Sequence, residues 1–327
     1  MSAEGGNKAV VAALAANTFI ALTKFGAWLL TGASSLLAEA IHSVADAGNQ
    51  ALLLVGSRRA KRGASDEHPF GYGRERYIFA FIVSIVLFSV GGLFALYEAY
   101  HKYHEIAQGH PNQLLESRWW WVPIAILLAA IVAEGLSFRT AIRESNRSRG
   151  SVSWIRFIRS AKAPELPVIL LEDFAALLGL VFALLGVGLT LITQNGYFDV
   201  GGTALIGLLL VAVAVALAIE TKSLLLGESA TRDAVARIEA ALNGTPGIER
   251  IIHMKTLHLG PEEVLVAAKI GVRSGDTAVE VAEVIDRAEV QIRQAEPMVT
   301  ALYLEPDIYD PGYVPAARPE PPAAAGH

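Results

Sequence analysis

The 327-residue chain has no cysteine, which excludes a disulfide framework and any metal site built on thiolates. Charge is scarce too. Only 18% of residues are Asp, Glu, Lys or Arg, and the formal net charge is −5, so its distribution matters more than its sum. No nucleic-acid partner is expected. Neither His-Glu-x-x-His nor Gly-x4-Gly-Lys-Ser/Thr occurs, so neither a zinc-hydrolase helix nor a P-loop for ATP-driven pumping is present. What is abundant is apolar: 53% of residues are hydrophobic and the mean hydropathy is positive. That is too apolar for an ordinary soluble protein and points to several membrane spans. The first apolar segment has the length of a span rather than of a cleaved signal, and nothing reads as an Arg-rich transit peptide. The expected location is therefore a bacterial cytoplasmic (inner) membrane.

Crossing the hydrocarbon as a helix takes ~20 mostly apolar residues. Six segments qualify: Ala9–Leu30, Ser34–Gly56, Tyr77–Tyr100, Trp119–Phe138, Pro167–Ile192 and Val200–Ile219. Tyr97, Tyr100 and the run Trp119, Trp120, Trp121 stand at span ends, where aromatic side chains suit the interface. One loop carries Arg58, Arg59, Lys61, Arg62, Arg74 and Arg76, and another Arg139, Arg143, Arg147, Arg149, Arg156, Arg159 and Lys162. The remaining loops hold only Lys102 and Arg118. The positive-inside rule puts both basic loops, and with them both termini, in the cytoplasm. Within the second basic loop, "SVSWIRFIRSAK" fits either an amphipathic helix on the membrane surface or a solvated loop.

After the sixth span the texture changes. "SATRDAVARIEAALNG" has helical periodicity, "IERIIHMKTLHLG" and "EEVLVAAKIGV" read as two strands around a Gly-Pro turn, "DTAVEVAEVIDRAEVQIRQAE" as a second helix and "VTALYLEP" as a last strand. The predicted fold class is thus a six-helix membrane protein with a small cytoplasmic α+β domain of order α-β-β-α-β. The expected boundaries are 1–222 for the transmembrane domain and 223–306 for the α+β domain, followed by a disordered Pro- and Ala-rich tail at 307–327.

The second span is unusual, because "LAEAIHSVADAGNQALLLVG" carries Glu39, His42, Asp46 and Asn49. Ionisable groups at membrane depth are costly and are rarely there without a partner or a task. His42 and Asp46, four apart, share one helix face. Asp46 lies roughly 18 Å in from Ser34 and Asp173 about 9 Å in from Pro167, near one level in a core of about 30 Å. An imidazole converging with two or three carboxylates is a nitrogen-and-oxygen site for a divalent transition metal, Zn²⁺ above all. The alternative is polar glue between helices. Asn49, one turn past Asp46, fits a ligand, a donor that holds a ligand from behind, or a helix–helix hydrogen bond. Glu39 is at the depth of Lys24 of the first span, which predicts a structural Lys24–Glu39 salt bridge, with snorkelling of Lys24 as the alternative. His101 and His104 share an outer helix face; metal collection and a merely solvated loop both fit them.

"SLLAEAIHSVADAGNQALLLVG", "DEHPFGYGRERY" and "LEDFAALLG", with six spans and an α-β-β-α-β end, resemble the cation diffusion facilitator family. The resemblance runs from about Asn7 to Pro306 and is strongest to the branch that includes the animal mitochondrial zinc transporter. It implies a homodimer, paired through the C-terminal domain in the lipid bilayer, that exports Zn²⁺ in exchange for protons. It implies four metal ligands on the second and fifth spans. His42 and Asp46 match the first pair, and Asp173, with Gly179 following at the family's spacing, matches one of the second. The remaining ligand position falls on Ile169, a departure. Glu172 is the available substitute, although it points about 100° away from Asp173 on a helix; water is the other possibility, and an oxygen-rich site tolerates Mn²⁺ or Fe²⁺ better. The last strand departs too: Tyr303 and Glu305 stand in place of the family's regulatory His and Asp. His253 and His258, five apart on a strand, point to opposite faces and are not expected to share an ion.

The predicted function is secondary-active, not enzymatic: a proton-coupled antiporter for Zn²⁺, or for Mn²⁺, Fe²⁺ or Co²⁺ by the same mechanism, with a divalent-cation channel as the other class. No resident cofactor is expected; the metal is cargo and protons are the counter-ion.

Overall fold

The computed structural model describes residues 18–110 and 112–312. It divides into two compact units: the described residues up to Glu228 together with His258–Glu263, and Ser229–Leu257 together with the described residues from Val264.

The first unit is helical. Helix α1 is described over Thr18–Thr31; the expected span begins at Ala9, and its first residues lie outside the described ones. Then come α2 (Ser34–Arg59), α3 (Glu75–Ala107), α4 (Val122–Arg149), α5 (Glu165–Thr193) and α6 (Tyr197–Leu226). The last four are long and apolar enough to cross a membrane. Helix α2, with 26 residues, reaches roughly 39 Å at ~1.5 Å per residue, but its polar stripe keeps it out of that apolar class. The inner faces meet in a core that includes Leu36, Leu87, Leu127, Leu180, Ile206 and Leu210. Val132, Leu136, Ile192, Leu208 and Ile219 are turned outward and exposed. Apolar side chains on that scale have no place in water and suit lipid, which satisfies them while the helices satisfy their own backbones.

Several ends differ from expectation for local reasons. Helix α3 runs beyond Tyr100 through "HKYHEIA", where Lys102 Nζ reaches Glu105 Oε2 at 2.8 Å one turn on. Its centre, Leu87–Leu93, is π-helical, a conformation seen mostly as short bulges inside α-helices. A Cβ on Gly92 there would come 2.7 Å from Val211 of α6, so only glycine permits that approach. Trp119–Trp121 precede α4 instead of opening it, and Trp121 is its N-terminal boundary residue. In the second basic loop, Trp154–Ser160 forms a short helix; the Ser153 side chain accepts the Arg156 N–H at its start.

After α6, α7 (Arg232–Asn243), β1 (Arg250–Gly260), β2 (Glu263–Gly271), α8 (Ala278–Ala295) and β3 (Val299–Asp307) follow the order α-β-β-α-β. The sheet order is β1-β2-β3. Only two residues join β1 to β2, so that pair turns as a hairpin; β2 and β3 run parallel, from Val264 opposite Val299 to Gly271 opposite Asp307, with α8 as the crossover. Val264, Val266, Ala268 and Ile270 alternate inward on β2, against Ala288 and Ile292 of α8 and Ile238 and Leu242 of α7. Strand β3 passes the expected boundary at Pro306. Asp307 takes Lys269 Nζ at 2.7 Å, and the Arg250 guanidinium lies 4.0 Å from the Tyr309 ring centroid. Residues 307–312 are therefore engaged rather than part of a disordered tail, and 313–327 lie outside the described residues.

Candidate metal centre

The stripe on α2 follows from spacing. Glu39, His42, Asp46 and Asn49 recur at intervals of three and four, which places them on one face, and that face is turned inward: Glu39, His42 and Asn49 are at most 1% exposed. The stripe meets its partners in three steps along the helix.

At the first step, Lys24 Nζ of α1 lies 3.1 Å from Glu39 Oε2 and donates to Ser43 Oγ at 2.7 Å. The other Glu39 oxygen faces α5 at Gly179, where a Cβ would come within 2.8 Å of it. Glycine at that position leaves room for the carboxylate. At the second step, His42 Nε2 and Asp46 Oδ2 are 3.5 Å apart. Neither ring nitrogen of His42 has a hydrogen bond, nor does Asp46 Oδ1. At the third step, Asn49 Nδ2 donates to Glu172 Oε1 of α5 at 2.7 Å.

Asp173 is directed elsewhere: its Oδ2 accepts from Ser137 Oγ of α4 at 2.9 Å. The ~100° between neighbouring residues of a helix thus sends Glu172 towards α2 and Asp173 towards α4. Ile169 is packed against the apolar core. The four expected ligands consequently fall into separate groups. Among the described residues, no three His, Asp or Glu side chains lie within reach of a single metal ion. The charges still act on one another: Glu172 interacts electrostatically with Asp46 and Asp173.

Two acidic residues near this stripe carry no motif. Glu134 of α4 interacts electrostatically with His42, Asp46 and Asp173; its only sequence signal is a lone glutamate within "LLAAIVAEGLSF". Asp199, at the start of α6 and 1% exposed, accepts the Ser34 N–H at 2.9 Å, the Ser35 N–H at 3.4 Å and the Ser35 hydroxyl at 2.5 Å. A carboxylate supplied by another helix caps the N-terminus of α2, satisfying amides that would otherwise be orphaned.

Other described histidines stand away from this stripe, several with local partners. His101 Nδ1 lies 3.7 Å from Glu105, and His104 Nδ1 lies 3.0 Å from the Tyr100 carbonyl oxygen. On β1, His253 is exposed, whereas His258 is buried with Nδ1 3.1 Å from the Gly260 carbonyl oxygen. Glu305 lies 3.3 Å from Lys269, and Tyr303 is exposed.

The chemistry of the stripe suits a divalent cation. With Lys24 balanced by Glu39, one imidazole remains among Asp46, Glu134, Glu172 and Asp173. So much negative charge inside a low-dielectric bundle requires cations or protons to offset it.

Comparison with known proteins covers most of the chain. A model of the cation efflux transmembrane domain matches residues 10–226. The mitochondrial proton-coupled zinc antiporter SLC30A9 of Xenopus laevis is 34% identical over 273 residues, covering 83% of this chain and 47% of that protein. The Homo sapiens protein of the same name is 32% identical over 269 residues, 82% of this chain and 46% of its own. Metal tolerance protein C4 of Arabidopsis thaliana is 26% identical over 265 residues, 80% of this chain and 56% of its own. The chain thus spans about half the length of the curated relatives it matches. Among solved structures, the MamM C-terminal domain in a nickel form is 18% identical and covers 24% of this chain and 100% of its own, with a TM-score of 0.24.

Proposed function

The chain belongs to the cation efflux family, the cation diffusion facilitators, and from that membership we propose that it is a proton-coupled antiporter moving Zn²⁺ out of the cytoplasm. One observation carries the proposal: His42 is buried with both ring nitrogens free of hydrogen bonds, one helical turn from Asp46 and among excess carboxylates. A buried imidazole without hydrogen bonds is costly unless something else is to occupy it. His42, Asp46, Glu172 and Asp173 hold the metal in this proposal, Asn49 orients Glu172 by its hydrogen bond, and Lys24 with Glu39 fastens α1 to α2.

Metal ligands must be deprotonated, so a departing metal leaves sites for protons. Imidazole titrates near neutral pH, which makes His42 the natural first acceptor. Alternating exposure of the site to the two sides then couples outward metal to inward protons. Six spans, both termini in the cytoplasm, a transmembrane domain followed by a cytoplasmic α+β domain, a bacterial cytoplasmic membrane and a homodimer paired through the C-terminal domain complete the proposal. A second reading, preference for Mn²⁺ or Fe²⁺, is favoured by Ile169, which leaves the donor set rich in oxygen.

Titration of the purified protein with Zn²⁺, Mn²⁺, Fe²⁺ and Co²⁺ tests the ligand set. Glu172→Gln should weaken zinc binding by about tenfold or more. Unchanged affinity rejects Glu172 as a ligand. In that case water completes the site, and Ile169→His should shift preference towards Zn²⁺.

A further inference from the structure

Helix α4 is the least buried of the four apolar helices: 17% of its most apolar stretch lies inside the bundle, against 39–44% for the others. From Val122 to Phe138 it carries a single charged residue, Glu134. A lone carboxylate on a helix that mostly faces lipid is costly. Among the described residues no hydrogen bond or salt bridge holds it.

Its surroundings explain its place. Ser137, three residues on and so on the same face, bonds to Asp173 of α5 at 2.9 Å. That hydrogen bond brings this part of α4 against the acids of the candidate site, and Glu134 is half-buried while Val132 and Leu136 beside it are exposed. Glu134 stands twelve residues beyond Val122, the first residue of α4, and Asp46 twelve beyond Ser34, the first of α2. Each is thus roughly 18 Å along its own helix. The buried, unbonded nitrogens of His42 supply the independent sign of a ligand, since they lie among these charges.

We propose that Glu134 is a further cation-binding residue of the transport path, a carboxylate contributed by α4 that the second and fifth spans do not supply. The inference rests on the metal-transport reading above. It answers the departure at Ile169: where α5 lacks one donor, α4 offers an oxygen. The ligand is a divalent transition-metal cation, and a harder oxygen donor widens the range of such cations that the site accepts.

The test uses the full chain reconstituted in vesicles and titrated in detergent with Zn²⁺ alone. Glu134→Gln should raise both the zinc concentration for half-maximal flux and the dissociation constant by about tenfold or more, with the melting temperature unchanged. Glu134→Leu, which suits an apolar helix, carries the same expectation should the glutamine variant fail to insert. Glu144→Gln, on the same helix and paired with Arg147 in the unmodified chain, should match the unmodified protein. Unaltered half-saturation and affinity in a Glu134 variant that still moves zinc overturns the inference and leaves the transport reading standing. A change confined to the maximal rate likewise overturns it. An unmodified chain that binds no zinc overturns the transport reading and this inference with it.

Discussion

Lys24 and Glu39 show how much a single residue pair can reveal. Counting from the helix ends puts them at one depth, and the structure joins them at 3.1 Å with both side chains buried. Removing one partner leaves the other charged and unpaired in a low-dielectric interior, so Lys24→Ala and Glu39→Ala should each cost about 3–5 kcal/mol. The double variant should cost little more than either single one, because the two changes delete one shared interaction. Thermal unfolding in detergent measures this, and fully additive losses would mean that the groups do not meet. Other residues were less legible. Nothing in "LLEDFAALLG" says which of two adjacent acids turns towards α2. That depends on the rotation of α5, fixed by Gly179 beneath Glu39 and by the Asn49 and Ser137 hydrogen bonds. Glu134 escapes spacing rules because no other ionisable residue stands near it in sequence and the charges around it lie on other helices.

At the scale of elements, periodicity and capping signals read well wherever the determinants are local. Helix α8 begins at a capping box: Thr277 accepts the Glu280 N–H, and Glu280 accepts the Thr277 N–H in return. Thr277→Ala should destabilise the helix by about 1 kcal/mol, as read by thermal melting. The backbone and hydroxyl bonds from Thr277 hold the Glu280 carboxyl below its ordinary range. A folded-state value below the unfolded one means that this contribution is present above the unfolded value and is lost as pH falls through the folded one. The difference in stability between Thr277→Ala and the unmodified chain should therefore shrink on acidification; a constant difference would show that the carboxylate takes no part. Elements shaped by packing were not legible. The π-helical centre of α3 arises where Gly92 meets Val211 of α6, and the N-terminus of α2 is capped by Asp199, 165 residues downstream of Ser34.

For the whole molecule, hydropathy marks the spans because lipid imposes one rule on every helix, and four of them meet it on composition alone. Helix α2 departs from that rule through the same residues that make it a candidate for metal transport. At the far end, the engaged residues reach Gly312, with Asp307 on Lys269 and Tyr309 under Arg250. Deleting 313–327 should leave zinc flux unchanged, since that stretch has neither periodicity nor a cluster of metal-binding residues; a marked loss of flux from correctly inserted protein would contradict this. The central claim, exchange of metal for protons at the His42–Asp46 stripe, is tested most directly in sealed vesicles that report luminal pH after a zinc jump. The unmodified chain should change luminal pH in proportion to zinc moved, and Asp46→Ala should abolish both while remaining folded and inserted. Zinc movement without a pH change, or full exchange by Asp46→Ala at saturating zinc, would contradict it.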